Sequence, residues 1–229
     1  PGGCAIGTRP VNFHLDALKK MGAKIKIKDG YIYASAKNGL KGCVIKFPKI
    51  SVGATENTLI AACFAKGETK LKNCAAEPEI NDLIIFLKKL GCKIKQIGKR
   101  SINVLGVNEL KSTTHSVIFD RIETGTYIIA AALTKGRLKI KNINPKIMST
   151  EIRLLQKMGV DIIKKKNYII ASRSKKLKGL NIVTKPYPGF PTDLQAQLMV
   201  LMTRAKGKSK IKENIFENRF MHVPELKRM

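Results

Sequence analysis

The chain has 229 residues, 44% of them hydrophobic, which suffices for one large or two medium domains with a buried core. A formal net charge of +28 admits nucleic acid, anionic membrane or phosphorylated substrates as partners, but only nine of the 44 basic residues are Arg, the lysines are interleaved with isoleucine throughout, and aromatics are 6% with no Trp, so a solvated lysine surface is expected in place of a nucleic-acid face. No apolar run approaches the roughly 18 residues of a membrane span, and no charged start followed by an apolar stretch resembles a signal peptide, so no membrane partner is expected.

The chain opens on Pro1-Gly2-Gly3-Cys4-Ala5-Ile6-Gly7-Thr8-Arg9-Pro10, where three glycines and two prolines forbid a regular helix and set a thiol and a guanidinium in one loop. From these residues alone the favoured reading of Cys4 is an inert core thiol at a frayed terminus, since free Cys is usually inert. The start at Pro1 without an initiator Met is expected to reflect a piece of a longer polypeptide.

Ala23 to Ile27 alternates Ile and Lys as a half-exposed strand does. Ala54 to Lys66 is apolar on most faces, the mark of a helix buried on most sides. Ile80, Leu83, Ile84, Leu87 and Leu90 follow the i, i+3, i+4, i+7 spacing of an amphipathic helix that Gly91 should stop. Farther on, Glu123 to Lys135 predicts a second buried helix, and Ile152, Leu155 and Met158 before Gly159 a second amphipathic one. Asn167 to Ala171 predicts a strand, and Thr192 to Lys206 a third buried helix.

These elements recur because the sequence does. Leu18-Lys-Lys-Met-Gly22-Ala-Lys-Ile25, Leu87-Lys-Lys-Leu-Gly91-Cys-Lys-Ile94 and Leu155-Gln-Lys-Met-Gly159-Val-Asp-Ile162 are one phrase, with glycines 69 and 68 positions apart. A second phrase around Gly67, Gly136 and Gly207 recurs at 69 and 71 positions. Two registers at one period predict a duplicated unit of strand, buried helix, strand, amphipathic helix and two strands, about 70 residues long and too long for a solenoid repeat. The predicted packing surrounds the buried helices with sheets.

Cys4, Cys43, Cys63, Cys74 and Cys92 are odd in number and form no CxxC pair, so neither a disulfide framework nor a zinc site is indicated and a reducing cytoplasm fits best. His14, His115 and His222 lack metal-ligand spacing; no metal or cofactor is expected.

Five stretches carry a resemblance: Pro1 to Leu15, Ser51-Val-Gly-Ala-Thr-Glu-Asn57, Asp120-Arg-Ile-Glu-Thr-Gly125, Pro188-Gly-Phe-Pro-Thr-Asp193-Leu-Gln-Ala-Gln197 and Phe216-Glu-Asn-Arg-Phe-Met-His222. In order and over the whole chain, they resemble the UDP-N-acetylglucosamine enolpyruvyl transferase family, which is grouped with enolpyruvylshikimate phosphate synthase. The resemblance implies an α/β fold of two domains and six βαβαββ repeats, called an inside-out α/β barrel, incomplete here. Residues 1–118 would be the later part of the first domain, with a catalytic loop at 1–10, and 119–229 the first part of the second. It also implies transfer of enolpyruvyl from phosphoenolpyruvate to the 3-hydroxyl of UDP-N-acetylglucosamine with release of phosphate, in peptidoglycan synthesis, by addition and elimination through a tetrahedral ketal. A monomer is favoured.

By the same resemblance, Cys4 matches a general acid that also forms an adduct with phosphoenolpyruvate and with fosfomycin, a role a tunable thiol can fill. Arg9 matches a contact to the anionic substrates, and Asp193 the base for the sugar hydroxyl; read on its own, Asp193 is equally a first-turn residue favoured by the helix dipole. Lys49, Ser51, Val52 and Gly53 match nucleotide contacts at a helix start, as do Pro10, Val11, Asn12 and Phe13, and Ile215 matches a sugar-nucleotide neighbour. Asp120 and Arg121 are expected to serve interdomain structure more than chemistry. Asn12 stands where the family commonly has Asp, which removes a charge. The family's N-terminal Lys-Asn pair and two further arginines fall outside this sequence, so the chain by itself is not expected to turn over. Two rivals remain: a non-catalytic basic module descended from the family, which would bind DNA with steep salt dependence, and the shikimate-phosphate activity, which should lack the loop cysteine.

Overall fold

The glycine that closes each copy of the first phrase is left-handed, with φ of 97° at Gly22, 103° at Gly91 and 98° at Gly159. A side chain is strained in that region, so each preceding helix ends at the same point of its copy. The computed structural model describes residues 11–173 and 176–229, which fall into two units, 11–118 and 119–229.

In the first unit the order is α1 (Asn12–Lys20), β1 (Lys24–Lys28), β2 (Tyr31–Ser35), β3 (Val44–Lys46), α2 (Val52–Ala62), β4 (Glu68–Lys72), α3 (Pro78–Lys89), β5 (Lys93–Gln96) and β6 (Ser101–Leu105). Strands β3 to β6 form one sheet in the order β3-β4-β6-β5, parallel only between β3 and β4. Period-two alternation decides which way it faces: Thr69 and Leu71 of β4 are buried while Glu68, Lys70 and Lys72 are exposed. The inner face meets Leu59 of α2 and Ile80 and Ile84 of α3 in the unit's core, with Phe47 and Val104. Each such side chain contributes on the order of 1.5–3 kcal/mol when fully buried. Strands β1 and β2 pair as a separate hairpin, Lys26 opposite Tyr33 and Ile27 opposite Ile32.

The second unit repeats the plan with α4 (Arg121–Leu133), β7 (Arg137–Lys141), a 3₁₀ turn (Pro145–Met148), α5 (Ser149–Met158), β8 (Val160–Lys164), β9 (Tyr168–Arg173) and β10 (Asn181–Val183). A second 3₁₀ turn (Thr192–Leu194), α6 (Gln195–Thr203), β11 (Lys210–Lys212) and α7 (Val223–Arg228) follow. Its sheets are β7-β9-β8, antiparallel, and the parallel pair β10-β11. Ile128 of α4, Ile152, Leu155 and Met158 of α5, Ile169 of β9 and Leu198 of α6 build its core. Among the described residues all the sheets are open and none closes into a barrel.

Two expectations change. The buried helices end before the predicted Lys66, Lys135 and Lys206: the last turns of α2 and α6 tighten to i→i−3 bonds and the N–H groups of Lys66 and Lys206 go to the carbonyls of Leu40 and Leu177, at 2.8 Å in each case, while Lys135 is left-handed, with φ 57°. The strand predicted before α4 is absent: residues 106–120 contain no regular element. Val107 and Lys111 instead donate to Cys63 and Leu90 carbonyls at 2.8 Å, so this polar stretch is tied to turns of the first unit.

Candidate functional site

In the first unit the predicted nucleotide residues gather at the starts of two helices. Ser51 is extended, with φ −139° and ψ 120°, and its Oγ accepts from the Ala54 N–H at 3.3 Å, which caps α2. Thr55 Oγ1 donates to the Ser51 carbonyl at 2.7 Å and accepts from the Ala75 N–H at 3.0 Å, so the helix start is tied to the segment before α3. That leaves the N–H groups of Val52 and Gly53 as the outward donors of the first turn. Gly53 faces the His14 ring of α1: an added Cβ would sit 3.3 Å from His14 Cε1. The first turns of α1 and α2 therefore meet, and Asn12 and Phe13 lie in the same turn as His14.

Val11, Asn12, Val52 and Lys49 are exposed, whereas Phe13 packs against the core. Burial lowers the His14 pKa, so the ring between the two helix ends is neutral at neutral pH. The arrangement offers two positive helix ends, an exposed lysine and little negative charge, a setting that suits a phosphate-bearing ligand.

Two buried thiols of this unit, Cys63 and Cys74, are poor nucleophiles. Burial pushes Cys74 up to about 12 against the opposing charge of Arg100, and pushes Cys63 up as well. Glu56 of α2 is raised by burial, with the Glu79 and Glu77 carboxylates adding to the shift. Its charged form is thus the disfavoured one in the folded unit: the contribution of this group to stability is fully present below the unfolded value of about 4.3 and is lost as pH rises through the folded value. Glu56→Gln should raise the melting temperature at pH 7 and leave it unchanged near pH 3.5. Identical melting of the two proteins at pH 7 would remove the argument that burial, with the neighbouring carboxylates, disfavours the charged form.

In the second unit Asp193 lies in the 3₁₀ turn that leads into α6. Its neighbours Thr192 and Leu194 are buried, which fixes the turn, while its own side chain is 59% exposed. Leu194 presses against α4 where Gly125 has no side chain; a Cβ there would come within 2.5 Å of Leu194 Cδ1. This close approach gives the Asp120 to Gly125 motif a packing reason. Asp120 itself caps α4, accepting from the N–H groups of Ile122 and Glu123 at 2.7 and 3.0 Å. Arg121 donates to Glu151 Oε1 at 3.0 Å within the second unit.

Arg219 Nη2 donates to Asp193 Oδ1 at 2.7 Å, and its guanidinium stands 5.5 Å from the Phe216 ring. Glu213, just after β11, accepts from the hydroxyls of Thr184 and Thr192 and from the N–H of Ile215. Ile215 and Arg219 thus sit on one loop, anchored beside the Asp193 turn. Burial and the Arg219 charge lower the His222 pKa, leaving a neutral ring next to the pair.

The predicted residues are therefore brought together in two sets: Val11, Asn12, Phe13, Ser51, Val52 and Gly53, with Lys49 close by in sequence, in the first unit, and Asp193 and Ile215 in the second. Cys4, Arg9 and Pro10 lie outside the described residues. Sequence reasoning missed Arg219 as the partner of Asp193, although it stands in a quoted motif, and missed Glu213 altogether. Among the described residues, no three or more His, Cys, Asp or Glu side chains gather as a metal site requires, and no helix is long and apolar enough to cross a membrane.

A family model described as EPSP synthase (3-phosphoshikimate 1-carboxyvinyltransferase) matches residues 1–229. A UDP-N-acetylglucosamine 1-carboxyvinyltransferase from Pelagibacter ubique (strain HTCC1062) is 63% identical over 229 residues, which is 100% of this chain and 55% of the relative. Another, from Endomicrobium trichonymphae, is 54% identical over 228 residues, 100% of this chain and 54% of its own length. Among solved structures, the enolpyruvyl transferase NikO from Streptomyces tendae superposes with a TM-score of 0.86 at 25% identity, covering 96% of this chain and 55% of that one. EPSP synthase from Acinetobacter baumannii shares the fold, with a TM-score of 0.62 at 22% identity over 92% of this chain and 50% of that one. The chain spans about half the length of the curated relatives it matches.

Proposed function

From the membership of this chain in the EPSP synthase (3-phosphoshikimate 1-carboxyvinyltransferase) family, we propose that the full-length protein transfers enolpyruvyl from phosphoenolpyruvate to the 3-hydroxyl of UDP-N-acetylglucosamine and releases phosphate, in cytoplasmic peptidoglycan synthesis. The observation that carries this reading is the identity of 63% and 54%, across the whole chain, to relatives bearing that activity in their names. On this reading residues 1–118 are the later part of one catalytic domain and 119–229 the first part of the other.

The reaction adds a proton to the methylene carbon of phosphoenolpyruvate and the sugar oxygen, its hydroxyl proton passing to the base, to C2; the tetrahedral ketal then loses phosphate from C2 and a proton from the C3 methyl, which restores the double bond. It needs an acid, a base and fixed positive charge for phosphate and carboxylate. Asp193 is the base, Cys4 the acid and adduct-forming thiol, and Arg9 a cation for the anionic substrates. Lys49 and the N–H groups of Val52 and Gly53 would hold the diphosphate beside Pro10, Val11, Asn12 and Phe13. Ile215 would line the sugar-nucleotide side of Asp193. The exposed position of Asp193, its rigid turn and its guanidinium partner at 2.7 Å support the base assignment.

Intact-mass analysis after fosfomycin treatment of the folded full-length protein should show a single adduct, mapped by peptide digestion to Cys4. Cys63, Cys74 and Cys92 are buried and should stay unlabelled. An unmodified Cys4, or an adduct on one of the core thiols, would remove its role. Calorimetric titration with UDP-N-acetylglucosamine is the companion test, and binding to DNA in its place would overturn the substrate.

A further inference from the structure

We propose that Glu213 is a positioning residue that holds the Asp193 turn and the loop carrying Arg219 and Ile215 in one register; the inference rests on the enolpyruvyl-transfer reading of Asp193.

Glu213 follows β11, which runs parallel to β10 with Val183 opposite Lys212. The Thr184 N–H continues that pairing to the Lys212 carbonyl at 3.0 Å, which brings Thr184 alongside Glu213. Glu213 Oε1 then accepts from Thr184 Oγ1 at 2.8 Å, from the Ile215 N–H at 2.7 Å and from the Phe216 N–H at 3.3 Å. Oε2 accepts from Thr192 Oγ1 at 2.9 Å. Thr184 Oγ1 in turn accepts from the Asn214 N–H at 2.9 Å, so the hydroxyl is spent on the same loop. Thr184 is wholly buried and Thr192 nearly so.

One carboxylate thus gathers donors from three segments: the residue after β10, the residue before Asp193, and Ile215 and Phe216 of the loop that reaches Arg219. A carboxylate is the side chain that accepts at two oxygens without presenting a donor of its own, and bonds to a charged acceptor are the stronger class. The 2.7 Å contact between Arg219 and Asp193 spans the two arms that Glu213 ties together. Glu213 does not touch that contact. Its effect is on where the carboxylate of Asp193 and the side chain of Ile215 stand, and displacement of a reacting group by about 1 Å costs on the order of 10²-fold in rate.

The test is a set of three variants of the full-length protein: Glu213→Ala, Glu213→Gln and Thr192→Val. Glu213→Ala should lower kcat for phosphate release about 10²-fold while KM for phosphoenolpyruvate stays within about threefold. Its amides at Ile215 and Phe216 should exchange faster with deuterium than in the parent. Glu213→Gln keeps the shape and an acceptor, and Thr192 can turn its hydroxyl to accept from the new amide, so most of kcat should return. Thr192→Val cuts only the arm to Asp193 and should lower kcat with amide exchange at Ile215 unchanged, a split that a general loss of stability would not give. A kcat of Glu213→Ala within threefold of an active parent overturns the proposal. If the parent itself releases no phosphate, the enolpyruvyl reading fails; unchanged exchange at Ile215 and Phe216 in Glu213→Ala would then overturn the positioning role independently.

Discussion

Asp193→Ala in the full-length protein is expected to release no detectable phosphate from phosphoenolpyruvate and UDP-N-acetylglucosamine while still binding the nucleotide. A positioned general base contributes on the order of 10²- to 10⁴-fold, and no other carboxylate among the described residues is shown bonded to the Arg219 guanidinium. The residues proposed for the nucleotide belong mainly to the first unit, around the Ser51 cap and the first turn of α1, so calorimetric affinity for UDP-N-acetylglucosamine should stay within a few-fold. Asp193→Asn separates charge from shape: the amide fills the same space and its carbonyl still accepts from Arg219, but it cannot take the hydroxyl proton. It should therefore be as inactive as the alanine variant while melting like the parent. Normal turnover by either variant would sink the assignment of the base.

The features of this fold that were legible in the sequence are those set by local geometry. An Ile/Lys alternation predicts a strand where it occurs, as in β1, because side chains of a strand alternate between faces whatever lies beyond them. The spacing of Ile80, Ile84 and Leu87 predicts α3, and Gly91 its end, for the same reason. The early ends of α2 and α6 were not legible. They go with bonds to the Leu40 and Leu177 carbonyls, 26 and 29 positions away, which take the N–H groups of Lys66 and Lys206 after the tightened last turns.

The site divides along the same line. Ser51 as a cap can be read from its place before a buried helix, since capping acts over three residues. The partner of Asp193 is 26 residues distant and the donors to Glu213 from Thr184 and Thr192 are 29 and 21 away. No periodicity encodes such pairs. They exist because β10 and β11 run parallel and carry their following residues to the same end of the sheet.

The largest stability effect is expected for Glu151→Ala. Glu151 and Arg121 are 1% and 8% exposed at the side chain and meet at 3.0 Å, joining the first turn of α5 to the first residue of α4. The Arg121 guanidinium also stands 5.7 Å from the Tyr187 ring, and Thr150 donates to the Pro188 carbonyl at 2.7 Å, so the segment leading to Asp193 is fastened at the same junction. Removing the carboxylate leaves the guanidinium buried without that counter-charge, and beside the positive end of α4, where a cation is already disfavoured. Breaking such a pair from one side costs about 3–5 kcal/mol, a large part of the roughly 5–15 kcal/mol that holds a domain folded, and the melting temperature should fall by about 10 °C or more. The double variant Arg121→Met/Glu151→Leu decides what the loss means. If the cost is the loss of the Glu151 counter-charge at a buried guanidinium, replacing both groups with apolar side chains should recover most of the melting temperature. If the double variant melts as low as Glu151→Ala, the pair itself supplies the stability, through the hydrogen bonds it makes at the junction of α4, α5 and the turn before Asp193.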